Sequence, residues 1–532
     1  MKKPALLTIF LLLVLACPLL AEPLANEGLG GLYARSIEQA LRLEPDDIDL
    51  GTAALIISEQ WSDVVAGRRY QSKLDDLALE IRKRCEQQNI KSHPQIIQVI
   101  NKYLFDELAF KTVEEATDPN DLFLHSVLDR KKGYCLSLSV LYLAIGERLG
   151  LPLHGVVVPG HFFVRYDNGR IQFNIETTSK GGYADDNHYI EKFNVPENNR
   201  HIYLENLNKR QTLGCFFNNL GNSYNDVGNP DQAMLALERA VEINPSLAES
   251  RANLGNIYLS KGRVNDAIYQ YRKSLEINPA DAKTHNNLGN AYLQKEWTSD
   301  AVNSYARSIK LDPKFIDAYK NIAIAYSKQQ MYAYAASHLQ QAVALAPKDP
   351  TCYRQLADVY ALTEEYDLAI SNYNRAIILK NDFAEAYLGL GLTYNKLDRT
   401  AEEIDAYKKA LIYKPDMVGA MGNLGNVYFK QKDYDDAIRI YKKAAALKPD
   451  DASLHYNIGA AYSNKSDYEN AVDAYLIAVK TDPRMAEAHN GLAFGFYQLK
   501  KYDLAGKHAQ LAQNLGVEVS ADLISAIKKK LR

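Results

Sequence analysis

The second half of this 532-residue chain repeats itself every 34 residues, nine times, without an insertion, from about Gly214 to about Val519. Small residues recur in one column at Gly221, Gly255, Gly289, Ala323, Ala357, Gly391, Gly425, Gly459 and Ala493. A second column holds Ala233, Ala267, Ala301, Ala335, Ala369, Ala437, Ala471 and Ala505, with Glu403 as its one exception. A third holds Pro245, Pro279, Pro313, Pro347, Pro415, Pro449 and Pro483, with Asn381 in the gap. A fixed period of this length means stacked supersecondary units, none of which buries its apolar face alone. The columns predict a helical hairpin per unit. Small residues let antiparallel helices approach, the aromatic after them fills the space between hairpins, and proline ends the second helix. The final "ADLISAIKKKLR" reads as a capping helix over 520–532 with a polar outer side. The 36 tyrosines are largely absorbed by these columns and ask for no ligand of their own.

This pattern resembles the tetratricopeptide repeat (TPR). The resemblance implies an all-α solenoid whose concave face is lined by the first helix of each hairpin. Two residues before each small position stand Asn219, Asn253, Asn287, Asn321, Gln355, Gly389, Asn423, Asn457 and Gly491. An amide donates and accepts at once, so a row of asparagines can pair with a peptide backbone without reading its side chains. Each such bond nets roughly 0.5–1.5 kcal/mol, so one rung decides little and several in succession hold a strand. A similar ladder holds an extended peptide in the TPR superhelix of O-linked N-acetylglucosamine transferase. That resemblance implies a peptide or protein partner on Asn219, Asn253, Asn287, Asn321, Asn423 and Asn457. The alternative is that these asparagines brace their own repeats. Gln355 and Gly389 divide the ladder into four rungs and two.

Charge names no partner. The 62 Lys+Arg residues against 65 Asp+Glu leave a formal net charge of −3, with no basic surplus to mark nucleic acid or an anionic membrane. The first 21 residues set Lys2 and Lys3 before a continuous apolar run, the layout of an export signal and shorter than a comfortable membrane span. "VLAC", ending at Cys17, resembles a bacterial lipobox, which implies lipidation of Cys17; cleavage after Ala21 is the competing outcome. The product is expected in the bacterial periplasm or as a lipoprotein of the cell envelope, touching membrane only through that N-terminal lipid. Cys85, Cys135, Cys215 and Cys352 show neither close pairs nor metal-ligand spacing. In an oxidising compartment, burial is the expected fate of all but Cys135.

Residues 30–130 read mainly as amphipathic helices, with Leu50, Ala53, Ala54, Ile57 and Trp61 on one side of "DDIDLGTAALIISEQW". In "KKGYCLSLSVLYLAIGERLGLP" a loop becomes a long apolar helix at Cys135. The strand-like runs "HGVVVP", "HFFVRYDNG" and "RIQFNIETT" follow, the last two joined at Asp167, Asn168 and Gly169, a hairpin signal. A thiolate in the first turn of a helix is favoured by the helix dipole and by free backbone N–H groups. A histidine on the adjoining strand can supply the imidazolium, and an acid on the next can orient it. Cys135, His161 and Glu176 supply these types in this order. "YADDNHY", with Asp185, Asp186 and His188, reads as a solvated turn. No metal and no cofactor is expected.

The runs "DLGTAALIIS" and "VLDRKKGYCLSLSVLYLAIGERLGLPLHGVVVPGHFFVR", with the later Gly181 and Gly182, resemble the bacterial transglutaminase-like domain of the SirB type over roughly residues 40–200. The resemblance implies an α+β papain-like core and a Cys-His-Asp triad, with Cys135 as nucleophile and His161 as base. The family's third position usually reads Asp before Pro-Thr, whereas this chain has "NIETT", so Glu176 is a departure. Asn174, on the same strand face, is the alternative orienter. SirB-type domains often lack the cysteine, and its presence here argues for chemistry.

The chain is thus expected to be mostly helical: an export signal over 1–21, a helical lead-in and transglutaminase-like domain over 22–205, nine TPR units over 214–519, and a cap over 520–532. The expected activity is amide hydrolysis or acyl transfer, in the manner of a cysteine protease or transglutaminase, with the repeats delivering a peptide. The alternative is a non-catalytic scaffold for an envelope complex, its front domain degenerate.

Overall fold

A computed structural model of the chain describes residues 26–27, 33–34, 36–62, 67–113, 118–193, 195, 197, 200 and 203–531. The expected export signal, with Cys17 and Ala21, lies outside the described residues. After a single helical turn at Ile37–Ala40, four longer helices, α1 (Leu50–Trp61), α2 (Gly67–Gln87), α3 (His93–Asn101) and α4 (Leu124–Arg130), lead to α5 (Cys135–Arg148). A helix apolar on most of its circumference must be surrounded. Every residue of α5 from Cys135 to Gly146 is buried. The same holds for α1, where the sequence suggests one apolar side and the structure buries Leu50 to Ser58 without a break. The cause lies in its small residues. A Cβ at Gly51 would stand 2.9 Å from that of Ala144, so α5 closes on a side of α1 that carries almost no bulk. The hydroxyls this encloses find partners, Thr52 on Asp49 at 2.7 Å and Ser58 on the Ala54 carbonyl at 2.9 Å.

Four antiparallel strands follow, in spatial order β1 (Leu153–Val158), β2 (His161–Asp167), β3 (Gln172–Glu176) and β4 (Gly182–Ala184). The β1–β2 turn needs φ = +73° at Gly160, a conformation that favours glycine, and it delivers His161 as the first residue of β2. Register sets Arg165 opposite Asn174 and Glu176 opposite Gly182. A short helix, α6 (Asp186–Lys192), closes the domain.

The first six repeat helices are α7 (Lys209–Asp226), α8 (Pro230–Ile243), α9 (Ala248–Ser260), α10 (Val264–Ile277), α11 (Ala282–Gln294) and α12 (Thr298–Leu311). They share a compact unit, residues 1–313, with the front domain. One apolar core runs from Ile37 through α5 to Leu247. Lys209 makes an ion pair with Glu147 and donates to the Ile48 carbonyl at 2.6 Å. The Tyr224 hydroxyl donates to the Trp61 carbonyl at 2.9 Å, and the Trp61 ring meets Phe217 edge-on at 5.6 Å.

Residues 314–532 form a second unit, an array of paired helices from Ile316–Lys328 to Tyr502–Asn514, followed by a terminal helix Ala521–Leu531 that buries Ile527. The packing rule of the repeats is visible in both units. A Cβ at Gly289, Gly391 or Gly425 would stand 2.4–2.5 Å from a tyrosine ring, that of Tyr305, Tyr407 or Tyr441. The chain is therefore an α+β domain followed by a TPR solenoid.

Candidate active site

Cys135 opens α5 at its N-terminus, where backbone N–H groups have no partner within the helix. The preceding loop is pinned from both sides. The Tyr134 N–H donates to Ser137 Oγ at 2.9 Å, and that hydroxyl donates to the Asp121 carbonyl at 2.8 Å. Cys135 is not set apart by exposure, contrary to the expectation for it. It is 5% exposed, and Cys85, Cys215 and Cys352 are buried too. What distinguishes Cys135 is its partner. Burial pushes the thiols of Cys215 and Cys352 up to about 12, with neighbouring carboxylates adding to the effect; Cys135 instead meets His161.

His161 Nε2 stands 2.7 Å from Glu176 Oε2, so Nδ1 is the ring nitrogen that Glu176 does not engage. Burial alone would lower the His161 pKa. Hydrogen bonds to Cys135 and Glu176, and their charges, override it and raise the value to about 9. Burial likewise works to raise Glu176, yet the hydrogen bond and charge of His161, then the two donors of Thr178, hold it below the ordinary carboxylate range. Glu176 is saturated as an acceptor. Oε1 takes the Thr178 N–H at 3.0 Å and its hydroxyl at 2.5 Å, and Oε2 takes the Tyr189 hydroxyl at 3.2 Å besides His161. The imidazole is also held by stacking, with Phe193 at 4.7 Å and 5° between planes. Thr178, Tyr189 and Phe193 carry no sequence signal that would have marked them, being ordinary residues of a loop and a short helix.

Asn174 does not orient His161. It faces Arg165, its cross-strand partner, accepting from Nε at 2.7 Å, while its own amide donates to Asp186 at 2.7 Å. Asp186 also pairs with Arg165 at 2.5 Å. Asp185 caps α6 by accepting from the His188 N–H at 2.8 Å. The "YADDNHY" segment is thus a helix start, with Asp185 and His188 solvated as expected and Asp186 holding the buried Arg165 guanidinium. Gly181 is fixed by geometry, with φ = +75° and no room for a Cβ, which would lie 2.2 Å from Asn101 Oδ1. That asparagine donates to the Gly181 carbonyl at 2.8 Å and accepts from Tyr142 of α5 at 2.7 Å, tying the loop after Glu176 to the helix of Cys135.

Cys135 and His161 line a cleft of about 350 Å³ together with Asn219, Asn253 and Asn287, the first three ladder residues. One N–H of each amide is used inside the repeats: Asn219 on the Cys215 carbonyl at 3.0 Å, Asn253 on Asn218 at 3.1 Å and Asn287 on Asn256 at 2.9 Å. These asparagines therefore brace the array and line the cleft at once. Glu249 lines it too, with one oxygen taking the Tyr203 hydroxyl and the other buried without a hydrogen-bond partner. Nothing in the repeat columns singles out Glu249. Asn321, Asn423 and Asn457 belong to residues 314–532, where the last two line a separate pocket.

Residues 68–214 match the transglutaminase-like superfamily, and TPR families match at residues 221–262, 255–296, 282–315, 357–398, 384–417, 425–466 and 456–516. The chain carries a transglutaminase-like domain followed by TPR repeats. Over 117 residues, 22% of its length, it is 33% identical to a UPF0162 protein of Xylella fastidiosa, of which the match spans 41%. Over 81 residues, 15% of its length, it is 37% identical to F-box only protein 21 of Mus musculus, of which the match spans 13%. The chain thus covers less than half the length of either curated relative. Among solved structures it is similar to YrrB, a TPR protein with an unusual peptide-binding site, at 24% identity and a TM-score of 0.30, covering 35% of this chain and 96% of YrrB.

Proposed function

We propose that this chain is an exported cysteine amidase with a SirB-type transglutaminase-like domain, and that its first TPR units present a peptide to Cys135 from the concave face. The observation that carries the reading is His161 held between Cys135 and Glu176 in a cleft also lined by Asn219, Asn253 and Asn287. The Cys135 thiolate attacks the amide carbonyl carbon, and the developing oxyanion meets the backbone N–H groups of the first turn of α5. The C–N bond breaks as His161 gives its Nδ1 proton to the leaving nitrogen, leaving a thioester. His161 then takes a proton from water, the hydroxide adds to the thioester, and the thiolate departs. An amine in place of water gives acyl transfer by the same steps. Glu176 stays ionised throughout and keeps the imidazole in orientation.

Lys2, Lys3 and the apolar run after them support export to the periplasm or the envelope. The mass of the mature N-terminus distinguishes a lipid on Cys17 from cleavage after Ala21.

One observation favours the rival reading, a non-catalytic scaffold: Cys135 is only 5% exposed, close to the 7% of Cys85. The test is exposure of the full chain to p-nitrophenyl acetate followed by peptide mapping. The amidase reading expects p-nitrophenolate release with an acetyl group on Cys135 when the parent is quenched in acid during the reaction, and neither in His161→Ala. No p-nitrophenolate release and an unlabelled Cys135 in the folded parent, with partner binding intact in Cys135→Ala, support the scaffold.

A further inference from the structure

The one exception in the alanine column lies far along the chain from Cys135. Eight alanines occupy that column, and every one of them is fully buried at 0% exposure. The ninth position is Glu403, in helix Thr400–Tyr413, and it is only 4% exposed. A carboxylate where the fold asks for a methyl group is costly unless something compensates its charge. Its hydrogen-bond partners within the chain are neutral: Asn395 donates to Oε1 at 2.8 Å, and the Tyr407 hydroxyl stands beside it. Lys430, an exposed side chain, acts on it through space. Burial raises the Glu403 carboxyl above its ordinary range, the sign of a charge not fully compensated.

Glu403 also lines a pocket of about 470 Å³. Its walls bring together Tyr456, the buried Tyr407 and Tyr441, the ladder residues Asn423 and Asn457, and Lys430, the one cation among the described lining residues, which an incoming lysine must displace from Glu403. A buried carboxylate, the half-buried Tyr456 ring and backbone-pairing amides together describe a receptor for a long cationic side chain on an extended backbone. The half-buried Tyr456 ring can cover the aliphatic stem, and the carboxylate meets the head group. We propose that this pocket is a second binding site, which takes a lysine side chain of a peptide partner and uses Glu403 as its counter-ion. Glu403 here trades packing for recognition. The proposal rests on the reading that the repeats hold peptides and is independent of the chemistry at Cys135.

The test uses the full chain and two capped alanine–glycine peptides, one with a single central lysine and one with norleucine there, their affinities measured by fluorescence anisotropy. The parent is expected to favour the lysine peptide by about tenfold or more, the scale of one desolvated ion pair. Glu403→Gln, which keeps a partner for Asn395, and Glu403→Ala, which restores the column, are both expected to bind the two peptides equally. Glu403→Ala is further expected to melt at or above the parent temperature, since it removes a buried charge. Equal binding of both peptides by the parent overturns the inference while leaving the peptide reading intact. Failure of the folded parent to bind either peptide overturns both. A preference that survives in Glu403→Gln and Glu403→Ala removes Glu403 from the account.

Discussion

Replacing Glu176 by glutamine tests whether the carboxylate holds His161 as a cation. Glutamine preserves the shape, and its carbonyl oxygen can keep the two Thr178 donors now on Oε1 at 3.0 and 2.5 Å. Its NH₂ group then faces the His161 Nε2–H across a separation of 2.7 Å, so two donors meet where a donor and an acceptor did. Burial still works to lower His161, and of the groups that lift it to about 9 only Cys135 remains. A hydrogen bond to a charged group is worth about 1.5–3 kcal/mol. At about 1.4 kcal/mol per pH unit, the His161 titration should fall by roughly one to two units.

NMR titration of ¹³C-labelled histidine measures this directly, with the His161 signal assigned by its absence in His161→Ala. The stability consequence follows in sign. A folded-state pKa above the ordinary value of 6.5 gives a contribution that is complete below about pH 6.5 and is lost as the pH rises through about 9. The parent should lose stability across that window, and the glutamine variant should lose less, over a lower and narrower window. A His161 that titrates near 6.5 in the parent, or that does not move in Glu176→Gln, refutes the reasoning.

Three further outcomes follow. Asn174→Ala removes two 2.7 Å hydrogen bonds around the buried Arg165 and should cost about 1–3 kcal/mol in urea unfolding while leaving the alkylation rate of Cys135 unchanged. Gly289→Ala forces a methyl group to within 2.5 Å of the Tyr305 ring and should destabilise by about 1–3 kcal/mol, read as a lower unfolding midpoint with the helical signal retained. Gly181→Ala combines φ = +75° with a clash on Asn101 and should both lower stability and slow acetylation of Cys135, because the same loop carries Thr178 and follows Glu176.

The repeats were legible because a 34-residue period leaves one architecture open, and the close packing of tyrosine rings on Gly255, Gly289, Gly391 and Gly425 gives the physical reason for the small column. The front domain was legible in order but not in packing. Helix α1 reads as one-sided because Gly51, Thr52 and Ser58 carry little apolar character, yet small residues are what allow α5 to close over them. The choice between Asn174 and Glu176 could not be read from a strand face alone. The two are separated along β3 by about 7 Å, and register decides which cross-strand residue each one meets. Asn174 draws Arg165 and Glu176 reaches back to His161. Glu403 was visible as an exception in a column. Its meaning required the pocket beside it.

The central claim is that Cys135 is activated by His161, and the pH dependence of its alkylation by iodoacetamide tests it most directly. Modification is located by mass spectrometry in the parent and in His161→Ala, with folding checked by circular dichroism at each pH. The account predicts rapid modification of Cys135 in the folded parent, with a pH dependence that is lost together with the rapid reaction in His161→Ala. Modification with the same rate and pH dependence in parent and His161→Ala, or only on unfolding, contradicts it, and makes Cys135 a core residue of a binding protein.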